Sequence, residues 1–206
     1  MEKKYKLTEE TIKVNGSILH RIEALKDFSD VKKGDKGGYI EKEENLSQSG
    51  DCWVYHDAVV YGNAEVYDDA KVFEDARIYG NTKVYHNAAV CGDAVVYCDA
   101  KVYGTAMVYD NAIIYGYAKV YGKAEVFGNA EICGNAEIAS NSDYIVFKNW
   151  WSSGRYFTWT KNNNMWKVGC FYGTSNELIE KAYRDSEKSG KEYEKIVKYV
   201  ESIFKD

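Results

Sequence analysis

Every sixth residue from Val54 to Ile138 is valine or isoleucine, fifteen in succession. A second column, every sixth residue from Ala58 to Ala136, is alanine with one exception, Thr82. No insertion disturbs the register between Cys52 and Ser142. Repetition at so short a fixed period points to a stack of like units rather than an ordinary layered core. Within a hexad, Ala and Val alternate with a variable residue and an aromatic one, as in Ala118-Lys119-Val120-Tyr121. That is the period of two of a strand, with Ala and Val inside. The next two residues, as in Gly62-Asn63, Gly80-Asn81, Gly128-Asn129 and Gly134-Asn135, tolerate left-handed backbone angles. Each hexad therefore reads as a short strand and a corner. One such strand cannot bury its valine, but coils stacked about 4.8 Å apart bury a continuous Val/Ala column.

Composition agrees. Proline is absent from 206 residues, so every backbone N–H can join a ladder. Net charge is −5, which supplies no global field to attract duplex nucleic acid. No apolar run approaches the length of a membrane span. The leading MEKKYKLTEE is charged and predicts no signal peptide. Five cysteines, Cys52, Cys91, Cys98, Cys133 and Cys170, form no CxxC pair, which predicts neither a disulfide framework nor a zinc site and fits a reducing cytoplasm.

The hexads resemble the left-handed β-helix of hexapeptide-repeat proteins, with Val/Ile and Ala in that family's large and small interior positions. The resemblance implies the left hand, a triangular section and three hexads per coil, so that residues eighteen apart stack. Parallel connections are normally right-handed, and periodicity alone does not give the hand. The expected fold is mainly β: a left-handed parallel β-helix of about five coils, roughly 24 Å tall, with an N-terminal β cap and a small C-terminal α+β domain. Asn15-Gly16 between alternating apolar runs predicts a hairpin in residues 1–45, the cap. Residues 46–142 form the helix. In residues 143–206, DYIVFKNWW, RYFTWTK and MWKVGCFY read as three strands, the last two joined by Asn162-Asn163-Asn164. Thr174 to Glu177 reads as a capping box, and Tyr193, Ile196, Val197, Val200, Ile203 and Phe204 share one helical face. With the leader Gly37-Gly38-Tyr39-Ile40-Glu41 and the segment Thr158 to Thr174, the layout resembles proteins common in phages and prophages, which implies host cytoplasm as the place of action.

Sorting outward residues by eighteen gives three faces. The first carries Val59, Tyr61, Tyr79, Val95, Tyr97, Ile113 and Tyr115, an apolar stripe that predicts a contact between subunits, a trimer by family resemblance. The alternative is a tyrosine ladder that stabilises the sheet by itself. The third sets Lys83, Lys101 and Lys119 among tyrosines. That strip is either a seat for a nucleotide-like ligand or a solvated face closed at both ends by Glu65 and Glu137, the reading the negative total charge favours. The corner column Asp57, Asp75, Asp93, Asn111, Asn129 is read as turn chemistry rather than a Ca²⁺ site.

Many hexapeptide-repeat relatives are acyltransferases with a catalytic histidine and a loop extruded over the acyl donor. Here no loop interrupts the hexads, and His20, His56 and His86 do not share one corner. No catalytic residue, metal or cofactor is assigned. Recognition is expected in the C-terminal domain, where Trp150, Trp151, Arg155, Tyr156, Trp159 and Trp166 crowd together. Adjacent Trp150 and Trp151 cannot both point inward from one strand. The expected function is a non-enzymatic binding or assembly protein of phage type, a homo-oligomer that blocks or sequesters a host protein or nucleotide-like ligand. The alternatives are an acyltransferase using acyl-CoA and a structural spacer.

Overall fold

The computed structural model describes residues 2–204. Fifteen two-residue strands, from Trp53–Val54 to Glu137–Ile138, stack into three parallel sheets. Pairing joins residues eighteen apart, as in Val95 with Arg77 and Ile113, or Lys101 with Lys83 and Lys119. The chain is thus a β-solenoid that fits a parallel β-helix. Every Val/Ile of the column from Val54 to Ile138 is at most 1% exposed, and so are its Ala partners. The exception, Thr82, is equally buried and donates its hydroxyl to the Tyr79 carbonyl at 2.9 Å, so its polar atom is satisfied.

The stack has about six turns rather than five. Lys36–Ile40 pairs in parallel with Val59–Val60, and Leu46 bridges to Val66, so the leader supplies a first turn with irregular spacing. Hexad counting misses this turn because Ile40 and Leu46 sit twenty rather than eighteen residues before their partners Val60 and Val66. Gly38 is required there: a Cβ would collide with the Ala58 carbonyl and with Val54.

Each strand N–H points to the next coil, as in Lys71 to Ala88 and Ala89 to Ala106, both 2.9 Å. Carbonyls are therefore left over at the N-terminal end and N–H groups at the C-terminal end, and both need partners. Donors close the first end. Lys4 Nζ reaches the carbonyls of Cys52 (2.9 Å), Gly50 (3.2 Å) and Ser49 (3.4 Å), and the Tyr5 hydroxyl reaches that of Leu46 at 2.6 Å. Acceptors close the other end: Asn141 Oδ1 for Glu125 N–H (2.7 Å), Thr158 Oγ1 for Glu131 N–H (3.0 Å) and Asn162 Oδ1 for Glu137 N–H (3.1 Å).

The corners use the left-handed region throughout. Gly62, Gly80 and Gly92 alternate there with His56, Asp68, Glu74, His86, Cys98 and Asp110, all at positive φ. Four of these non-glycine residues are held by one device: the side chain accepts from the N–H of the corner one coil on. His56 Nδ1 accepts from Glu74 (3.2 Å), Asp68 from His86 (3.1 Å), Glu74 from Gly92 (2.7 Å) and Asp110 from Gly128 (3.1 Å). Where no side chain is tolerated, space decides. A Cβ on Gly92 would lie 2.8 Å from Asp110 N, whereas one on Gly128 meets nothing within 4 Å. Gly128→Ala is expected to cost about 1–2 kcal/mol for the left-handed angle alone. Gly92→Ala is expected to cost clearly more, read as a larger fall in the urea midpoint.

The cap is a hairpin, Tyr5–Val14 with Ser17–Ala24, turned at Asn15 (φ 50°) and Gly16 (φ 94°). It is clasped to the tower by charge. Asp30 Oδ1 accepts from Lys71 Nζ (2.7 Å) and the Tyr55 hydroxyl (2.9 Å), and Lys71 beside it holds its carboxyl down to about 2. A depressed carboxyl contributes stability above its unfolded value, near 4, that is lost as pH falls through the folded value. Between pH 5 and 2, Tm is therefore expected to fall further in the native protein than in Asp30→Asn.

The C-terminal domain has four antiparallel strands, Tyr144–Lys148, Tyr156–Thr160, Met165–Val168 and Phe171–Gly173, not three. MWKVGCFY turns back on itself at Gly169 (φ 55°) and Cys170. Two helices, Ser175–Asp185 and Glu187–Phe204, pack over this sheet around Trp166, Phe157 and Leu178. Thr174 and Glu177 make the capping box, with Thr174 N–H to Glu177 Oε2 at 2.8 Å. Ile203, placed on the buried helical face by spacing, is 48% exposed, whereas Phe204 beside it packs on Trp159 at 4.8 Å. No helix among the described residues is long and apolar enough to cross a membrane.

Candidate functional site

The loop 149–155 joins the first two strands of the C-terminal sheet, and one buried polar residue organises it. Asn149 is 5% exposed. Its Oδ1 accepts from Ser152 N–H (3.0 Å), its Nδ2 donates to the Tyr193 hydroxyl (3.0 Å), and its backbone pairs with Arg155 (2.7 Å) and Gly154 (2.8 Å). Burial pushes the Tyr193 hydroxyl pKa up, so it stays protonated as a partner. Sequence reasoning missed Asn149. Its signal was an Asn ahead of two tryptophans and a Ser-Ser-Gly turn, a residue type that closes turns through its side chain.

The pinned loop divides the tryptophans. Trp151 packs edge-on against Tyr193 at 4.9 Å and is buried, with its Nε1 lacking a hydrogen-bond partner among the described residues. Trp150 is 71% exposed, at 86° to Trp151. Arg155 is exposed at the far end of the loop, and Tyr156, 41% exposed, lies under the Lys148 ammonium at 5.4 Å. Trp159 and Trp166 are not surface residues. They pair across two strands inside the domain, and their indole N–H groups donate to Asn164 (2.9 Å) and Ser175 (3.1 Å). Of the six aromatic and arginine candidates, Trp150, Arg155 and Tyr156 remain accessible.

Arg155 also borders two clefts. One, about 430 Å³, lies between the sheet and the first helix and is lined by Asn149, Arg155, Gly169, Lys181, Asp185 and Tyr193. The other, about 210 Å³, lies between the domain and the first face of the tower, against Ile113, Glu131 and Tyr156.

On that first face, Val59 and Tyr61 do not reach the surface. Leu19 and Tyr39 of the cap cover them, and Asn15 donates to the Tyr61 hydroxyl at 3.0 Å. The hairpin folds over the top of the stripe, a long-range docking that hexad arithmetic does not contain. Trp53, which opens another of the three sheets, is likewise covered, by Tyr5 and Phe28. Tyr79, Val95, Tyr97, Ile113 and Tyr115 are half-buried at mid-height. Tyr61, Tyr79, Tyr97 and Tyr115 form a stacked ladder with centroids 5.0, 5.1 and 5.0 Å apart.

On the third face Lys83 pairs with Glu65 (3.1 Å) and Lys119 with Glu137 (2.8 Å). Glu137 holds the Lys119 pKa up. Lys101 lies exposed between them with no carboxylate at salt-bridge distance among the described residues, so the strip carries one uncompensated charge. The tyrosines Tyr67, Tyr85, Tyr103 and Tyr121 stack beside it at 4.9–5.1 Å.

The histidines are dispersed. His20 bonds the Thr8 carbonyl at 3.0 Å, and His56 is a corner acceptor. His86 occupies a different, exposed corner, edge-on to Tyr85, with Nε2 3.9 Å from Asp68.

No family model matches the chain. Over 61 residues it is 39% identical to the uncharacterized acetyltransferase YdcK of Escherichia coli (strain K12). That match takes in 26% of this chain and 19% of YdcK, so the chain spans about a fifth of the relative's length.

Proposed function

We propose that the chain is a non-enzymatic binding and assembly protein of phage or prophage type, in which the β-helix holds up a C-terminal recognition domain. One observation carries this reading: Trp150 stands 71% exposed on a loop locked by buried Asn149, and Arg155 and Tyr156 are exposed where the loop returns to the sheet. Trp, Tyr and Arg dominate binding hot spots, and a side chain already held in place loses little freedom on binding. The partner is a host protein or a nucleotide-like ligand, since an exposed indole stacks on a base as readily as on an apolar protein surface. The phage type rests on the likeness of the two flanks.

The tower supplies rigidity and number. The half-buried stretch of the first face that the cap leaves uncovered, from Tyr79 to Tyr115, is the surface through which copies associate, three by family likeness. Such a trimer presents three recognition domains and gains avidity without new contacts at each.

The test is retention of molecules from a host lysate on immobilised full-length protein, identified by mass spectrometry. Trp150→Ala and Arg155→Ala are expected to lose the retained species. Both are surface changes, and folding stability is expected to move by no more than about 0.5 kcal/mol. Retention unchanged in both variants sinks the reading, and an empty column favours the spacer.

The likeness to YdcK favours a second reading, an acyltransferase using acyl-CoA. It requires that acyl-CoA raise Tm and that His86→Ala end turnover with the fold intact. The geometry supports it less well, because His86 sits on an exposed corner and its nearest acidic partner, Asp68, is engaged by the His86 backbone N–H.

A further inference from the structure

Lys4 and Cys52 meet inside the N-terminal end of the tower, far from the recognition loop. Lys4 is 1% exposed and Cys52 is fully buried. They come from distant parts of the chain: Lys4 from the residue before the hairpin, Cys52 from the residue before strand Trp53–Val54. Lys4 Nζ lies 3.2 Å from Cys52 Sγ. The same nitrogen is directed at the carbonyls of Cys52, Gly50 and Ser49, and the sulfur at those of Ser47 (3.6 Å) and Ser49 (3.7 Å). Both atoms are thus fixed from several sides.

Burial lowers the Lys4 pKa and raises that of Cys52. A buried thiol alone is ordinarily inert. The amine held 3.2 Å from its sulfur changes that, because one small oxidant can then reach both atoms at once. Dioxygen is apolar and small enough to enter a packed interior through its fluctuations.

We propose that Lys4 and Cys52 are the two halves of an oxidative modification site, joined as Nζ–O–Sγ with dioxygen as the oxidant. In the balanced step the amine gives up one hydrogen and the thiol its only one. One oxygen atom becomes the bridge, and the other leaves with both hydrogens as a single water. Nitrogen and sulfur are each oxidised by two electrons, and dioxygen takes all four. An inserted oxygen closes the existing gap with a small shift. A direct N–S bond would require both anchored atoms to move deep inside their contact distance.

The bridge ties the start of the cap to the first coil. It constrains the unfolded chain as a disulfide closing the same loop would, so the oxidised protein is the more stable form. Reduction frees the amine and the thiol and loosens the cap.

The full-length protein, kept in air-equilibrated buffer, is denatured, alkylated and digested. The expected product is one cross-linked pair of peptides containing Lys4 and Cys52. Its mass equals the sum of the two plus one oxygen less two hydrogens, and the pair separates after reduction by dithiothreitol. Recovery of the two peptides apart, with Cys52 alkylated, overturns the proposal, as does a linked pair without the extra oxygen or Cys52 carrying only acid oxidation products. In a second readout, dithiothreitol is expected to lower Tm in the native protein and leave Cys52→Ala unchanged. An equal response in both overturns it. Should Cys52→Ala not fold, the mass measurement on the native chain decides.

Discussion

Val96→Asp is expected to abolish the folded tower. Val96 is fully buried at mid-height, paired between Ile78 and Ile114. A carboxylate there has no partner and no water. Burying it costs on the order of 5 kcal/mol or more, as much as the whole stability of many domains. Far-UV circular dichroism is expected to lose its β signal and its cooperative melt. The neighbouring Val95→Asp is the control. Val95 is outward and half-buried, so the fold is expected to survive at a cost below about 1 kcal/mol. If copies associate through that face, the same change releases monomers in light scattering. One step along the chain thus separates loss of fold from loss of assembly, which follows from the strand period of two.

Trp166→Ala is expected to melt the C-terminal domain while leaving most of the tower standing. The indole is fully buried, packs against Phe147, Phe157 and Trp159, and donates to Ser175 at 3.1 Å. Truncating such a core tryptophan costs about 3–5 kcal/mol, and the orphaned hydroxyl adds to that. Tower and domain bury separate apolar clusters, so the variant is expected to show two transitions, the domain's at a lower temperature than in the native protein. A secondary effect follows. Thr158 and Asn162 accept the last coil's N–H groups, and a melted domain withdraws them. The exposed edge is then open to pairing with another chain, and the variant is expected to aggregate on heating. Melting by helix signal and by tyrosine fluorescence separates the two events. A single coincident transition would show that neither part stands without the other.

The candidate site was legible only in part. Trp150 and Trp151 part company as expected, but they lie in the loop after the strand ends at Lys148, so strand parity is not the cause and could not say which of them faces water. That choice is made by Asn149, whose side chain bonds Ser152 nearby and Tyr193 on the last helix. Trp159 and Trp166 carry the residue type of a contact surface, yet they face each other across two strands and fill the core. A small domain needs its large side chains for itself. The lysine column was legible as a column, and Glu65 and Glu137 at its ends are the residues that neutralise Lys83 and Lys119.

With the stacking at eighteen implied by family resemblance and seen in the strand pairing, what the sequence by itself determined is the wall of the tower: Val and Ala inside, tyrosines outside, a corner every six residues. These follow from local rules that each hexad obeys alone, the alternation of a strand and the few residues that accept a left-handed corner. Only the tertiary structure decided the irregular first turn, the burial of Val59, Tyr61 and Trp53 beneath the cap, the donors and acceptors that close the two ends, and the meeting of Lys4 with Cys52. Each of these joins segments distant in the chain by packing, and a periodic pattern carries no information about what lands on its ends.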